Sequence, residues 1–419
     1  MKGKQTFVIV GAGLAGARAA ETLRGEGFDG RLVLVGAEAA HPYHRPPLSK
    51  GYLRGERERS SIFVHREDFY HDKEIELLRS TRVSRIYPGD AQVEMDSGRR
   101  LDYDRLLLAT GARPRIMNVT GSDLDGIHYL RTIGDSDRLR QELKRATRLA
   151  VIGGGWIGSE VAASARRLGV DVVLIDPRRN PLEKVVGPEV GAVFRRLHTD
   201  HGVEFRPKTR VESFIGDGTV EGVRTTSGEI IAADHVLVGI GVLPRVELAT
   251  DAGLDLDDGV VTDHRLRTSS PKIFAAGDIA SAWHPLFNRR LRVEHWANAR
   301  DQGIVAARNM LGQSQSYDRI PHFLSDQYDF SIEYAGHARH WDRVVFRGDP
   351  ASRSFIAFWL AGGRVVAGMN ANISGVHDDI VALIRSREHV SVERLTNPDV
   401  PLDEIAERGR HDQAATASR

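Results

Sequence analysis

The stretch FVIVGAGLAGARAAETL, residues 7–23, decides the fold. Phe7 to Val10 is a short apolar run, Gly11, Gly13 and Gly16 follow at once, and Ala19, Ala20 and Leu23 then recur at helical spacing: strand, tight turn, helix. In such a turn the first glycine permits the bend, the second lets backbone approach a pyrophosphate, and the third lets helix and strand pack closely. The N–H groups that open the helix then face the phosphates. A second apolar run, Leu32 to Val35, leads toward Glu38, 22 residues past Gly16, where a carboxylate would hold a ribose diol. Ala37 fills the neighbouring position, so Glu38 is the acid predicted for that task.

The same pattern returns 142 residues later in LAVIGGGWIGSEVAASA, residues 149–165. Gly153, Gly155 and Gly158 repeat the glycine spacing, Val161, Ala162 and Ala165 repeat the helix, and the strand Val172 to Ile175 ends at Asp176. A carboxylate there would accept adenosine ribose hydroxyls and repel a 2′-phosphate, favouring NADH over NADPH, although Arg178 or Arg179 could instead receive that phosphate. Two such units predict an α/β chain with two Rossmann-like dinucleotide-binding folds. Hairpins are predicted over Val93 to Tyr103, around Ser97-Gly98, and over Val220 to Ile231, around Ser227-Gly228. From about Ile320 the texture changes to strands at Val344 to Arg347, Phe355 to Leu360 and Val365 to Met369 and a helix over Asp379 to Arg387, a C-terminal α+β domain.

The 419 residues suit two or three domains, and 41% apolar residues together with 42 glycines is an ordinary globular composition. The chain contains no cysteine, which excludes disulfides, redox thiols, thiolate zinc and its own iron–sulfur cluster. Redox chemistry would therefore need a borrowed cofactor. A net charge of +1 gives no global field for nucleic acid or a membrane surface. No apolar run reaches the roughly 18 residues of a membrane span. Met1 to Ala20, with Lys2 and Lys4 before an apolar stretch, imitates a signal peptide, but its glycines and Arg18 fit a nucleotide turn, so a cytoplasmic setting is expected. No GxSxG, HExxH or Walker sequence occurs, and the 17 histidines show no metal-ligand spacing, so no metal site is predicted.

Further motifs lie between and beyond the two turns: RPPLSK at 45–50, LLLATGARP at 106–114, GIGVLP at 239–244, IFAAGD at 273–278, RVEHWANA at 292–299 and SDQYD at 325–329. With GAGLAG and GGGWIGSE, they resemble the oxygenase-coupled NADH-dependent ferredoxin reductases, within the two-dinucleotide-fold flavoproteins, from Phe7 to about Leu402. The resemblance implies an FAD-binding domain made of 1–112 and 240–319, an NADH-binding domain at 113–239 and a C-terminal domain at 320–407, with 408–419 a frayed tail. It implies FAD contacts from Gly11, Gly13, Leu14, Ala15, Gly16, Glu38, Arg45, Pro47, Lys50, Val83, Ala109, Thr110, Gly111, Arg131, Gly277, Asp278, Glu294, His295 and Trp296. NADH contacts are implied for Gly153, Gly155, Trp156, Ile157, Gly158, Asp176 and Gly241. Lys50 and Glu160 are implied to pair beside the reacting atoms.

The implied activity is hydride transfer from NADH to flavin N5, then single electrons to a [2Fe–2S] ferredoxin that feeds an oxygenase or cytochrome P450. No nucleic acid or membrane partner is expected. Direct reduction of quinone or dioxygen, and a redox-sensing role resembling that of apoptosis-inducing factor, stay open as alternatives. Where the family usually has tryptophan before SDQ, this chain has Leu324, and where an acid often stands it has Ala37. Arg289, Arg290, Arg292 and Arg300 form the basic cluster expected to steer an acidic ferredoxin.

Overall fold

The computed structural model describes residues 5–405 and divides into two compact units. Lys2, Lys4 and the tail expected to fray after 407 lie outside the described residues. One unit takes in the chain through Pro47, Arg57–Arg113 and Val242–Arg319; the other takes in Leu48–Glu56, Pro114–Gly241 and the chain from Ile320 on.

The first unit is built on a five-stranded parallel sheet in the order Ile273–Ala275, Arg105–Leu108, Thr6–Val10, Arg31–Val35, Ile75–Leu78. Alternation along the strands explains why both faces are apolar. Phe7, Ile9, Leu32, Leu34 and Leu107 point to one face, under the helices Leu14–Gly25 and Trp296–Met310. Val8, Val10, Val33, Val35, Leu106 and Leu108 point to the other, under the three-stranded antiparallel sheet Val83–Tyr87, Gln92–Met95, Arg100–Asp102. The two helices approach closely because Gly303 leaves room: a Cβ there would lie 2.4 Å from the Ala15 carbonyl oxygen.

The second unit repeats the plan with the parallel order Glu204–Pro207, Asp171–Asp176, Arg148–Ile152, His235–Val238, Ile127–His128. The antiparallel strands Val211–Asp217, Thr219–Thr225 and Ile230–Ala232 cover one face through Phe214, Val220, Val223 and Ile231. The helix Trp156–Arg167 follows the second glycine turn. Beyond residue 320 stands a five-stranded antiparallel sheet, His322–Gln327, Phe330–Gly336, Arg364–Ala371, Ser354–Ala361, Arg343–Asp349, with the helix His377–Ser386 placing Ile380 over Gly368. The sequence anticipated three of these strands and the helix. It did not anticipate His322–Gln327 and Phe330–Gly336, which turn on Tyr328 at φ +58°. This sheet shares a core with the helix Glu183–Asp200, where Val186, Val190, Phe194 and Leu197 pack on Phe330, Phe355 and Trp359. That common core is why 114–241 and the chain from 320 fall in one unit.

Candidate functional site

Each unit carries a glycine turn at the carboxyl end of its central strand. At Gly11, φ is +117° and a Cβ would sit 2.1 Å from the Ala109 carbonyl oxygen; at Gly16 a Cβ would sit 2.0 Å from the Gly11 oxygen. Gly153 has φ +97°, and its Cβ would lie 2.6 Å from the Gly239 oxygen, while a Cβ on Gly158 would lie 2.0 Å from the Gly153 oxygen. The outer glycines are thus demanded by the protein's own backbone. The middle ones are not: a Cβ on Gly13 would meet nothing within 4 Å, and one on Gly155 only the Gly239 oxygen at 3.9 Å. Both middle glycines are helix N-caps without a side-chain cap. Open space over an uncapped helix start, twice, fits a dinucleotide diphosphate at each turn.

In the first unit Glu38 stands just past the strand Arg31–Val35, partly exposed. Its carboxylate accepts from Tyr43 Oη at 2.6 Å and from Arg45 Nη2 at 2.9 Å, and the Arg45 guanidinium lies 5.0 Å from the Tyr43 ring centre. Oriented from both sides, it keeps lone pairs for ribose hydroxyls. Thr110 Oγ1 donates to the Arg245 carbonyl at 2.9 Å, and the Arg245 N–H donates to the Gly111 carbonyl at 2.9 Å. Gly277, at φ +81°, donates its N–H to Gln302 Oε1 at 2.8 Å, and Asp278 beside it is buried. Val83 opens the antiparallel sheet and is buried. Trp296 begins the helix after His295, its indole N–H donating to His44 Nδ1 at 2.8 Å and its ring 5.0 Å from the Arg300 guanidinium. Gln302 carried no signal in the sequence, since it lies in no turn with a recognisable spacing, and His44, which flanks the Lys50 loop, reads from sequence alone as an ordinary surface or packing histidine.

In the second unit Lys50, Ser49, Glu160 and Ser325 meet. Lys50 Nζ lies 2.7 Å from Glu160 Oε1, Ser325 Oγ donates to that same oxygen at 2.7 Å, and Ser49 Oγ donates to Oε2 at 2.5 Å. The Glu160 side chain is 6% exposed and that of Lys50 15%. The pairing expected for Lys50 and Glu160 is thus present, with two hydroxyls that were quoted only as letters within RPPLSK and SDQYD. Ser164 Oγ, one turn along the helix, donates to the Ser49 carbonyl at 2.7 Å, and Ser136 Oγ donates to the Leu48 carbonyl at 2.8 Å. These bonds anchor the segment that carries Lys50.

Asp176 is buried beneath the second turn, accepting from the Gly154 N–H and the Arg178 N–H, each at 2.7 Å. The partly buried Trp156 side chain packs edge-on to Phe323 and Phe194, while Ile157 is exposed. Gly241 follows the strand His235–Val238 at φ +105°. Arg131 precedes a capping box in which the Thr132 hydroxyl and the Asp135 carboxylate satisfy each other's backbone.

Two members of the basic cluster are tied to carboxylates. Arg292 is 12% exposed and bridges Glu294 and Asp258; Arg290 donates to the Thr262 carbonyl at 2.9 Å; Arg300 binds Asp301 at 2.7 Å. Arg292 and Arg300 are thus paired with carboxylates, whereas Arg290, bonded to a neutral carbonyl, stays exposed and keeps its charge. Leu324, by contrast, is a large apolar side chain left 59% exposed. No helix among the described residues is long and apolar enough to cross a membrane.

Comparison with known proteins returns two matches to family models, one described as pyridine nucleotide-disulphide oxidoreductase over residues 5–303 and one described as reductase C-terminal over residues 322–406. The chain is 41% identical over 403 residues to the ferredoxin–NAD(+) reductase component of the anthranilate 1,2-dioxygenase system of Burkholderia cepacia, covering 94% of this chain and 98% of that protein. It is 38% identical over 411 residues to putidaredoxin reductase of Pseudomonas putida, covering 97% of each. Among solved structures, the covalent putidaredoxin reductase–putidaredoxin complex matches with a TM-score of 0.93 at 37% identity, covering 98% of this chain and 100% of that one.

Proposed function

Because the chain belongs to the pyridine nucleotide-disulphide oxidoreductase family and carries the reductase C-terminal domain, we propose that it is an FAD-dependent NADH:ferredoxin reductase. Its acceptor is a [2Fe–2S] ferredoxin that serves an oxygenase or cytochrome P450. The observation that carries this reading is the similarity, over 94% of the chain or more, to reductase components of such systems, in a chain with no cysteine to form an internal dithiol. The setting is cytoplasmic, where NADH is supplied.

When bound, FAD supplies the conversion of a two-electron hydride donor into single electrons for the ferredoxin. The protein supplies binding and charge. Residues 1–112 and 240–319 form the FAD domain, 113–239 the NADH domain and 320–407 a third domain. The turn Gly11 to Gly16 holds the FAD diphosphate with the N–H groups of Leu14 and Ala15, Glu38 and Arg45 take its ribose end, and Asp278 takes the ribityl hydroxyls. Trp296 packs at the flavin edge. The turn Gly153 to Gly158 holds the NADH diphosphate, and the negative charge of Asp176 disfavours a 2′-phosphate. Lys50, fixed by Glu160, offers a cation to the charge that develops as the flavin is reduced.

Anaerobic mixing with NADH, then with a panel of [2Fe–2S] ferredoxins, tests the assignment. Prompt cluster bleaching with at least one ferredoxin supports it. A flavin that reduces yet gives electrons only to quinone or dioxygen refutes it.

A further inference from the structure

Trp296 and His44 stand 252 positions apart in the sequence, and one hydrogen bond joins them. An indole N–H can only donate, so His44 Nδ1 must accept, which fixes the imidazole as the neutral tautomer with its proton on Nε2. The two rings also touch, their centres 5.6 Å apart with a tilt of 47°. Protonation at Nδ1 would set two N–H groups against each other across 2.8 Å. Indole bonding and the imidazolium form of His44 therefore exclude one another.

We propose that His44 is a positioning residue for Trp296, holding the indole in place while neutral and releasing it when it takes up a proton. Its consequence for turnover rests on the assignment of Trp296 to the flavin edge. With the indole fixed, the flavin is presented in one orientation; with it released, alignment for hydride transfer is lost.

The surroundings set the direction of the titration. Burial of the His44 ring, then the positive charge of Arg18 on the helix Leu14–Gly25 and the nearby His65, hold its pKa below the usual histidine range. Glu21 faces both of those groups, bonded to Arg18 at 2.6 Å and lying 3.7 Å from His65. On the other side Arg300 lies against Trp296 and is itself paired with Asp301. The loop bearing His44 is pinned by its own N–H, which donates to the Ile62 carbonyl at 2.8 Å. The ring therefore stays beside the indole at neutral pH and loses its grip only on acidification.

The test follows the indole directly. In the FAD-loaded full chain labelled with 15N-tryptophan, the Trp296 indole N–H signal is identified by its loss in Trp296→Phe. In the wild type it is expected to move upfield along a single-proton curve as pH falls below about 6.5. His44→Leu should show the upfield position at every pH. His44→Asn, whose side-chain oxygen can replace Nδ1 as acceptor, should hold the downfield position throughout. Flavin reduction by NADH should fall about fivefold with the same midpoint in the wild type, the worth of one hydrogen bond, and lose that inflection in His44→Asn.

A signal that ignores pH in the wild type, or that stays downfield in His44→Leu, overturns the proposal. An indole titration that leaves the reduction rate flat supports the hold of His44 on Trp296 and refutes instead the assignment of Trp296 to the flavin edge. Failure to reduce any ferredoxin, with indole titration and flavin reduction as expected, would instead refute the assigned acceptor and leave His44 in its role.

Discussion

Lys50→Met removes the cation from a carboxylate that the rest of its unit has enclosed. Glu160 is 6% exposed, and without Lys50 it keeps only the hydroxyls of Ser49 and Ser325. Stranding one partner of a buried pair costs about 3–5 kcal/mol. The two remaining hydroxyl bonds and the 15% exposure of Lys50 place this case near the lower end, about 3 kcal/mol. Adding Glu160→Gln removes the stranded charge while leaving an amide oxygen for one serine. The double variant should therefore recover about 1–2 kcal/mol of the loss, a coupling typical of contacting residues. Urea unfolding followed by tryptophan fluorescence measures this, since Trp156, Trp341 and Trp359 all lie in the affected unit. Flavin reduction by NADH should stay slow in both variants, because restoring the fold does not restore the ammonium. A loss below about 1 kcal/mol in Lys50→Met, or a double variant no more stable than the single, would refute the claim that the pair is a buried charge pair. Recovery of the reduction rate in the double variant would refute the role of the cation.

The glycine turns allow a cleaner separation. Gly13→Ala should weaken FAD retention, measured by flavin release on dilution, while the melting temperature of the apoprotein changes little, since its Cβ meets no protein atom within 4 Å. Gly11→Ala should instead prevent accumulation of folded protein, its Cβ falling 2.1 Å from a carbonyl oxygen at a φ that alanine rarely adopts. Burial lowers the pKa of His198 to about 4, with the ring donating to Gln327 Oε1. An unfolded histidine titrates near 6.5, so this stability is intact above about pH 6.5 and is lost as pH falls toward 4, by about 3 kcal/mol. Urea midpoints between pH 7 and 4.5 should fall more steeply in the wild type than in His198→Met. Arg292→Ala should lower stability by only about 1 kcal/mol, since Glu294 and Asp258 are exposed enough to be hydrated once their shared partner is gone, and a loss of several kcal/mol would contradict the exposed pairing seen here.

What the sequence disclosed and what it withheld divide along one physical line. The two glycine turns and their strands were legible because local backbone geometry demands glycine at fixed spacing within one strand–turn–helix unit. The helix Glu183–Asp200 gave no such signal: Gly187 and Pro188 interrupt its period, and Gly187 has φ +80° inside it. The strand His322–Gln327 was equally silent, since Ser325 and Gln327 are buried polar residues where alternation calls for apolar ones. Their partners explain them. Ser325 is buried to bind Glu160 and Gln327 to bind His198, 165 and 129 positions away, so the polar face of that strand is a consequence of tertiary pairing. The arginines show the converse limit of local reading. Arg289, Arg290, Arg292 and Arg300 cluster in sequence and suggested a surface field, yet charge counted along the chain says nothing of where each head group ends, and two of them, Arg292 and Arg300, are paired with nearby carboxylates. Docking of an acidic ferredoxin on this chain could draw on cations such as exposed Arg290, or on apolar surface such as exposed Leu324, and the second case makes a distinct demand: association should then weaken little with added salt. Measuring KM for the ferredoxin between low and high ionic strength separates the two, since a steep rise calls for a cationic surface and a flat response points to the apolar one.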